Sequence, residues 1–203
     1  YQSAQFVYPN NGTTVTGINV ITGSNRAQSS YTNFDFTNTW WMKEGFTRPM
    51  LRSEARSYVM NSHQLQLMNL NPAGTYVLGR DLDLTLDLID NLAYYRNIWS
   101  EQGFASVGDT ATPFTGSFDG MGHTINSLVI DTPSANAVGL FGTVAGGSIR
   151  NVTLTAADVT GSQDVGMLIG LNDGGVINLA RVDGTSSGSS RVGGLIGRTI
   201  GAA

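Results

Sequence analysis

A short apolar run bracketed by glycines occurs three times in the second half of the chain. It reads VGLFG from Val138, VGMLIG from Val165 and VGGLIG from Val192, so successive valines are 27 residues apart. The segment between the runs also repeats, since GSIRNVTL is followed one period later by GVINLARV. Short apolar runs parted by glycines at such a period are typical of a solenoid, in which each repeat is one supersecondary unit.

The spacing of apolar residues within a repeat indicates strands. Val165, Met167 and Ile169 alternate with other residues, and the apolar runs end at clusters of Gly, Asn, Asp or Ser. At about 3.3 Å per residue, one repeat forms two or three short strands, enough for one coil of a parallel β-helix. The frame of a leucine-rich repeat and the long stripe of a helical repeat do not occur. We therefore predict an all-β fold of stacked coils.

The repeat predicts which side chains fill the core. Ile149 is matched with Val176 and Val152 with Leu179, on the assumption that an insertion near Ile169 is cancelled by a deletion near Ser148. The full set of predicted core residues is Val138, Leu140, Ile149, Val152, Val165, Met167, Val176, Leu179, Val192 and Leu195.

Residues 1–56 are predicted to form a junction or capping module. A strand is expected near Gly17 to Thr22, and another in FDFTNTW, where Phe34, Phe36 and Trp40 share one face. These rings begin an aromatic and apolar cluster, which we interpret as core rather than as an exposed sugar platform.

Residues 57–106 are predicted to open the next module and residues 107–203 to form the coils. The one predicted helix is NSHQLQLMNL, which Asn61 or Ser62 can cap. A strand in TYVLGRDLDL and a loop at 85–103 inserted between coils follow it. Because the chain opens without a signal peptide and stops in mid-repeat, we expect it to be a piece of a longer protein.

Composition narrows the class of protein. The chain has 203 residues, including 26 Gly, and only 13% are charged, so it can build a sizeable core with little surface charge. Its net charge of −4 argues against a nucleic-acid or anionic-membrane partner. No apolar run approaches the roughly 18 residues of a transmembrane helix. The absence of cysteine excludes disulfides and Cys-ligated zinc.

The combined motifs resemble a known family. GSFDGMGHTINSLVI, AVGLFG, GSIRNVTL and RVGGLIG resemble the GLUG-motif repeats of large bacterial surface proteins. FDFTNTWWMKEGFTRPMLRSE with the following NSHQLQLMNLNPAGTYVLGRDLDL is similar to the module junction of filamentous-haemagglutinin-like adhesins. The resemblance implies a right-handed parallel β-helix, export by two-partner secretion with an outer-membrane partner, a secreted or bacterial cell-surface location, and a role in adhesion or biofilm. It assigns no catalytic residues.

The candidate catalytic groups are carboxylates. Parallel β-helices include glycan-cleaving enzymes, which need paired acids, or an Asp with Arg or Lys, along one groove. Turn chemistry accounts for the repeat aspartates without catalysis, because Asp bonds the backbone of its own turn. They are Asp109, Asp119, Asp131, Asp158, Asp164, Asp173 and Asp183. We predict a non-enzyme and keep as the alternative a β-helical polysaccharide-binding or -cleaving enzyme, which two carboxylates about 5–9.5 Å apart in an open groove would favour.

Neither a metal site nor a cofactor is predicted. His63 and His123 lie in different modules, and His123 is interpreted as a capping or stacking residue of its turn. Calcium held by Asp and loop carbonyls stays open, although no calcium-binding repeat motif is present. Asn11 and Asn151 match the N-glycosylation sequon, and we interpret both as turn or ladder residues.

Function beyond a scaffold is expected from exposed loops. The insert carries Tyr94, Tyr95 and Trp99, which we predict to contact a glycan or a host or matrix surface protein. The sequence thus favours an adhesin segment that displays or spaces a binding site.

Overall fold

The computed structural model describes residues 24–89 and 98–201. The strand predicted near Gly17 to Thr22 lies outside these residues. The strands are β1 (Trp40–Trp41), β2 (Met50–Leu51), β3 (Tyr58–Val59), β4 (Thr75–Leu78), β5 (Leu82–Asp83), β6 (Ser117–Asp119), β7 (Thr124–Asn126), β8 (Val129–Asp131), β9 (Asn136–Val138), β10 (Phe141–Ala145), β11 (Ser148–Thr160), β12 (Gln163–Gly166), β13 (Ile169–Asp173), β14 (Val176–Ser187), β15 (Ser190–Gly193) and β16 (Ile196–Ile200).

One short α-helix, α1 (Ser62–Gln66), accompanies these strands in the described residues. Tighter or wider helical turns lie at Gln28–Ser30, Arg52–Glu54, Leu67–Leu70 and Thr85–Ile89. None of the helices described is long and apolar enough to cross a membrane.

The strands from β6 onward form a β-solenoid. Residues 117–145, 148–173 and 176–200 make three coils, here called coils 1, 2 and 3, which pair in parallel. One face contains β6 to β8, β11 and β14, the second β9, β12 and β15, and the third β10, β13 and β16. This confirms the predicted all-β fold of stacked parallel coils.

The core is built from columns of like side chains along the stack. Val165 pairs in register with Val138 on one side and Val192 on the other. On the first face, Ile149 lies between Phe118 and Ile177. Each coil thus buries its apolar residues against its neighbours, which is how solenoids obtain stability that one repeat cannot supply alone.

The last glycine of each repeated run is required by close packing. A Cβ at Gly170 would lie 2.3 Å from the carbonyl carbon of Ala137, and one at Gly197 would lie 2.3 Å from the backbone nitrogen of Val165. The third face of a coil therefore presses its backbone against the corner of the coil before it. Only glycine allows this approach, which explains why the run ends in Gly each time.

Two predicted core residues, Val176 and Leu179, are not in the core, because the predicted register is displaced by one residue. Ile149 pairs with Ile177 and Val152 with Ala180, so the offset between coils 2 and 3 is 28 residues there, and the register changes only between Leu154 and Ala157. The cancelling deletion lies at this bulge and not near Ser148. Consequently Val176 and Leu179 are exposed.

The other predicted core residues divide by coil. Val192 is 41% exposed and Leu195 is half-buried, because coil 3 has a neighbour on one side only among the described residues. The predicted residues of coils 1 and 2 are all buried: Val138, Leu140, Ile149, Val152, Val165 and Met167.

The N-terminal module contains the predicted aromatic cluster but not its strand. The Phe34 ring lies 4.7 Å from that of Trp40 and stacks with Phe36. FDFTNTW forms turns, and only its Trp40 belongs to a strand. The reason is local, since the Asp35 carboxylate accepts the backbone N–H groups of Thr37 and Asn38 and bends the chain.

The predicted helix is confirmed, with Asn61 as its cap. Its side-chain oxygen accepts the Gln64 N–H at 2.9 Å, and the Gln64 side chain accepts the Met60 N–H at 2.8 Å. This reciprocal arrangement satisfies donors at the helix start. The helix precedes an entry segment, residues 75–116, whose strands β4 and β5 pair in parallel with β6 and β7 of coil 1.

Candidate functional site

The predicted ligand-binding insert is only partly described. Tyr94 and Tyr95 lie outside the described residues. Trp99 is 2% exposed, and its indole nitrogen donates to the Gln66 side-chain oxygen at 2.9 Å. The His63 ring packs edge-on against it at 5.7 Å. Trp99 therefore serves as an anchor in the core, and the prediction that it contacts a ligand disagrees with its burial.

The partner of Trp99 is a buried glutamine that joins the helix to the entry segment. The Gln66 oxygen also accepts the Ala105 N–H at 3.0 Å, and its amide nitrogen donates to the Ala105 carbonyl at 2.8 Å. A buried amide costs little free energy when its donors and acceptors are paired. These hydrogen bonds hold the C-terminal end of the insert against α1.

Outward-facing polar side chains bond along the stack. Asn126 of coil 1 donates to Asp83 of the entry segment at 3.1 Å and accepts the Thr155 hydroxyl of coil 2 at 3.0 Å. The hydroxyls of Thr160 and Ser187 lie 3.0 Å apart across coils 2 and 3. These ladders supply polar contacts on the face opposite the apolar columns, and they explain the Thr and Ser content of the outward positions.

Three of the candidate catalytic acids have separate structural roles. Asp109 accepts the N–H groups of Ala111 and Thr112, as expected of a turn residue. Asp158 accepts the Thr185 hydroxyl at 2.7 Å. Asp164, in β12, pairs with Arg191 of the next coil. The described residues contain no group of three or more His, Asp or Glu side chains placed to hold a metal ion.

Asp119 forms an outward ion pair with Arg150 and is the less exposed of the two side chains. Its side chain is 14% exposed, accepts the Arg150 Nε at 2.8 Å and accepts the Asn151 amide at 3.0 Å. Burial alone would raise the pKa of Asp119, but hydrogen bonds from the Met121 N–H, Asn151 and Arg150 outweigh it and leave the pKa below its ordinary value.

Both histidines pair with carboxylates of other elements. His63 Nδ1 lies 3.1 Å from Glu54, and His123 Nδ1 lies 3.1 Å from Asp81 of the entry segment. Asp81 also accepts the Thr124 N–H at 2.8 Å. The hydrogen bonds from Thr124 and His123 lower the pKa of Asp81. His123 thus joins its turn to the entry segment.

An open groove of about 670 Å³ crosses all three coils at the corner after β6. Its walls are Met121 of coil 1 and Leu179 of coil 3, which are 60% and 73% exposed. Asn151 and Thr153 of coil 2 lie between them, and Arg181 flanks them. We call this surface the corner groove. It combines exposed apolar side chains with amide, hydroxyl and guanidinium groups.

The backbone at the corner groove is unusual. Met121, Asn151 and Leu179 have φ values of 52°, 54° and 51°, in the left-handed region. Asn tolerates this conformation, whereas Leu and Met pay about 1–2 kcal/mol for it. Strained backbone conformations cluster at functional sites. The corner groove is therefore the candidate site in the described residues.

Sequence reasoning missed this site because it placed Leu179 in the core. The signal that could have found it is Asn151, the residue at the same corner of coil 2. Asn in a strand repeat indicates a left-handed corner, but the 27-residue period matches Asn151 with Asn178 and so conceals the place of Leu179 at this corner.

Comparisons with known proteins give one partial match. The chain is 46% identical over 95 residues to halomucin of Haloquadratum walsbyi. The match covers 44% of this chain but only 1% of halomucin, so the chain spans a very small part of that relative. No family model matches the chain, and no solved structure matches it.

Proposed function

We propose that the chain is a non-catalytic structural and adhesive segment of a large secreted surface protein. The observation that carries the proposal is the in-register stacking of Val138, Val165 and Val192 in parallel coils. Such a stack forms a stiff scaffold whose length grows with the number of repeats. Its outward residues are free to vary without loss of the core.

The similarity to halomucin supports the large-protein part of the proposal. There the matched 95 residues make up 1% of the chain, so a segment of this kind occurs within a very long protein. The GLUG-type runs and the N-terminal junction support a filamentous-haemagglutinin-like adhesin as the parent. Export through an outer-membrane partner belongs to that proposal, and a chain without cysteine suits passage in an unfolded state.

The binding part of the proposal concerns a glycan or a host or matrix surface protein. The exposed groups of the corner groove are candidate contacts. The sequence adds Tyr94 and Tyr95 of the insert as further candidates. The acids do not favour the polysaccharide-cleaving alternative, since Asp109, Asp158 and Asp164 are engaged at separate points of the fold.

A glycan and matrix-protein array tests the binding part. We expect binding to at least one ligand, with no new reducing ends or unsaturated products after prolonged incubation. The double variant Tyr94→Ala/Tyr95→Ala or the groove variant Arg181→Ala should weaken binding, and Ser187→Ala, elsewhere on the exposed face, serves as the matched control. Release of products would support the enzyme alternative instead, and the absence of any binding would leave a purely structural segment.

A further inference from the structure

We propose that Asn151 is a site of N-linked glycosylation and that the corner groove holds the first sugars of the attached glycan. The inference rests on export, as in the proposed function, because glycan transfer from a lipid-linked donor takes place outside the cytosol. It goes further by assigning a covalent modification to one side chain.

The sequon is complete and correctly oriented. Asn151-Val152-Thr153 meets the N-x-T requirement with a residue other than Pro at its centre. Asn151 and Thr153 both line the corner groove, whereas Val152 is buried in the core. The two side chains that a transferase reads are therefore on the outer surface together. The corresponding residues of coil 3, Leu179 to Arg181, do not form a sequon.

The Asn151 amide can accept the modification and keep its structural contact. Its Nδ2 donates one hydrogen bond to Asp119 at 3.0 Å. An amide NH₂ group has two N–H donors, and glycosylation replaces only one of them. The remaining N–H can continue to donate to Asp119. Asn151 also falls outside the paired register of β11 with β14, which pairs Arg150 and Val152 but not the residue between them.

The surroundings of Asn151 suit a sugar. Met121 and Leu179 expose apolar surface on either side of it, at a backbone conformation that disfavours both residues. The C–H faces of a pyranose ring would cover these side chains, and burial of apolar surface contributes about 25 cal/mol per Å². Arg181 lies at the edge of the groove with donors for sugar hydroxyls. An attached glycan thus accounts for exposed apolar residues that the fold does not need.

The reaction is a group transfer from a lipid-linked donor. The Asn151 Nδ2 attacks the anomeric carbon of an oligosaccharide carried on a polyprenyl phosphate or pyrophosphate. A C–N bond forms, the anomeric C–O bond to the phosphate breaks, and the lipid phosphate leaves with the electron pair. The amide nitrogen gives up one proton to the transferase. No oxidant or reductant takes part.

The test uses the whole chain, secreted from a host that N-glycosylates its exported proteins. An Asn-Ala-Thr tag appended to the C-terminus reports that a molecule has met the transferase, and only tag-modified molecules are analysed. Enzymatic deglycosylation in ¹⁸O-labelled water followed by peptide mass spectrometry locates the modified Asn. We expect Asn151 to be labelled, Thr153→Ser to retain the label, and Thr153→Val to lose it.

A second measurement tests the position of the sugars. Hydrogen peroxide oxidises exposed methionines, and Met121 is 60% exposed in the bare chain. We expect the glycan to slow Met121 oxidation several-fold relative to the Thr153→Val variant. Met60, which is 38% exposed and lies before α1, should oxidise at the same rate in both and serves as the internal control.

The outcomes separate this inference from the proposed function. Unlabelled Asn151 in molecules with a modified tag overturns the modification site. A labelled Asn151 with unchanged Met121 oxidation overturns the placement of the sugars in the corner groove. The array described above uses chain that carries no glycan, so its result depends on neither measurement, and an adhesin that is not glycosylated at Asn151 would be recognised as such.

Discussion

The left-handed residues at the corners show how single side chains are selected. Ala137, Asp164 and Arg191 occupy one such column, with φ values of 57°, 56° and 52°, directly before the three repeated valines. Among them the pair Asp164 and Arg191 gains an inter-coil ion pair. Neither Asp nor Ala is fully excluded from this region, but each costs more there than Gly or Asn would.

The same argument makes Leu179 a removable source of strain. Leu179→Asn should raise the free energy of unfolding by about 0.5–1 kcal/mol, because Asn tolerates positive φ and the lost leucine side chain is largely exposed. Urea unfolding measures the change. Val176→Asn is the matched control, since Val176 is also exposed but has no positive φ. A stability gain in the control, or a loss in Leu179→Asn, would contradict this explanation.

Acid sensitivity follows from the lowered pKa values of Asp81 and Asp119. Their folded-state pKa lies below the ordinary 3.8, so the stabilising contribution is present above that value and is lost as the pH falls through the folded pKa. We expect a constant urea midpoint from pH 7 to about pH 5 and a decline below about pH 4. Asp119→Asn should lower the midpoint at neutral pH and flatten the decline, and an equally steep decline in this variant would exclude a role for Asp119.

At the level of elements, β11 and β14 show how a bulge resets the register. Their pairing keeps a 28-residue offset from Ser148 to Leu154 and a 27-residue offset from Ala157 onward. A one-residue slip in a strand moves every side chain to the other face. Coil 2 has one residue more than coil 1 near Ile169. The bulge compensates for this extra residue, so the side chains in the rest of β14 keep their inward or outward direction.

This register predicts unequal effects at neighbouring positions. Ile177→Ala should destabilise the chain by about 1–2 kcal/mol, because Ile177 is half-buried against the Ile149 column. Val176→Ala should change stability by less than about 0.5 kcal/mol, because Val176 is exposed. Chemical denaturation of both variants measures the difference. Equal losses of stability, or a larger loss for Val176→Ala, would contradict the 28-residue register and support a 27-residue register in this segment.

At the level of the whole molecule, the coils differ in how well they are covered. Coil 2 pairs with a coil on each side, whereas coil 3 pairs only with coil 2 among the described residues. The inward side chain at one position of this stack is Phe118 in coil 1 and the smaller Ile149 and Ile177 in coils 2 and 3. Stability in a solenoid is roughly a sum of nearest-neighbour contributions, so it should fall toward coil 3.

Amide hydrogen exchange measures this gradient. Amides of β12 and β13 should exchange at least about tenfold more slowly than those of β15 and β16, after correction for intrinsic rates. Leu140→Asp should abolish the protection in coils 1 and 2, because Leu140 is fully buried. Ser187→Asp should leave it unchanged. Uniform protection across the coils would show that the molecule opens only as a whole.

Much of the fold could be predicted from local patterns. The capping of α1 by Asn61 and the stacking of Val138, Val165 and Val192 depend on residue type and spacing, which the sequence contains directly. The strand expected in FDFTNTW fails because the Asp35 side chain competes for backbone donors. Alternation of aromatic residues does not reveal that competition.

The sequence by itself determined that the chain stacks β-coils, because apolar runs and glycines at a fixed period allow little else to bury the apolar surface. The tertiary structure alone decided where the one-residue insertion is compensated, and therefore that the Leu179 side chain faces water and not the core. It also decided that Trp99 is an anchor and that Asn151 lies in an open groove. These outcomes depend on contacts between residues distant in sequence, such as Gln66 with Trp99, whose partners a periodic pattern does not specify.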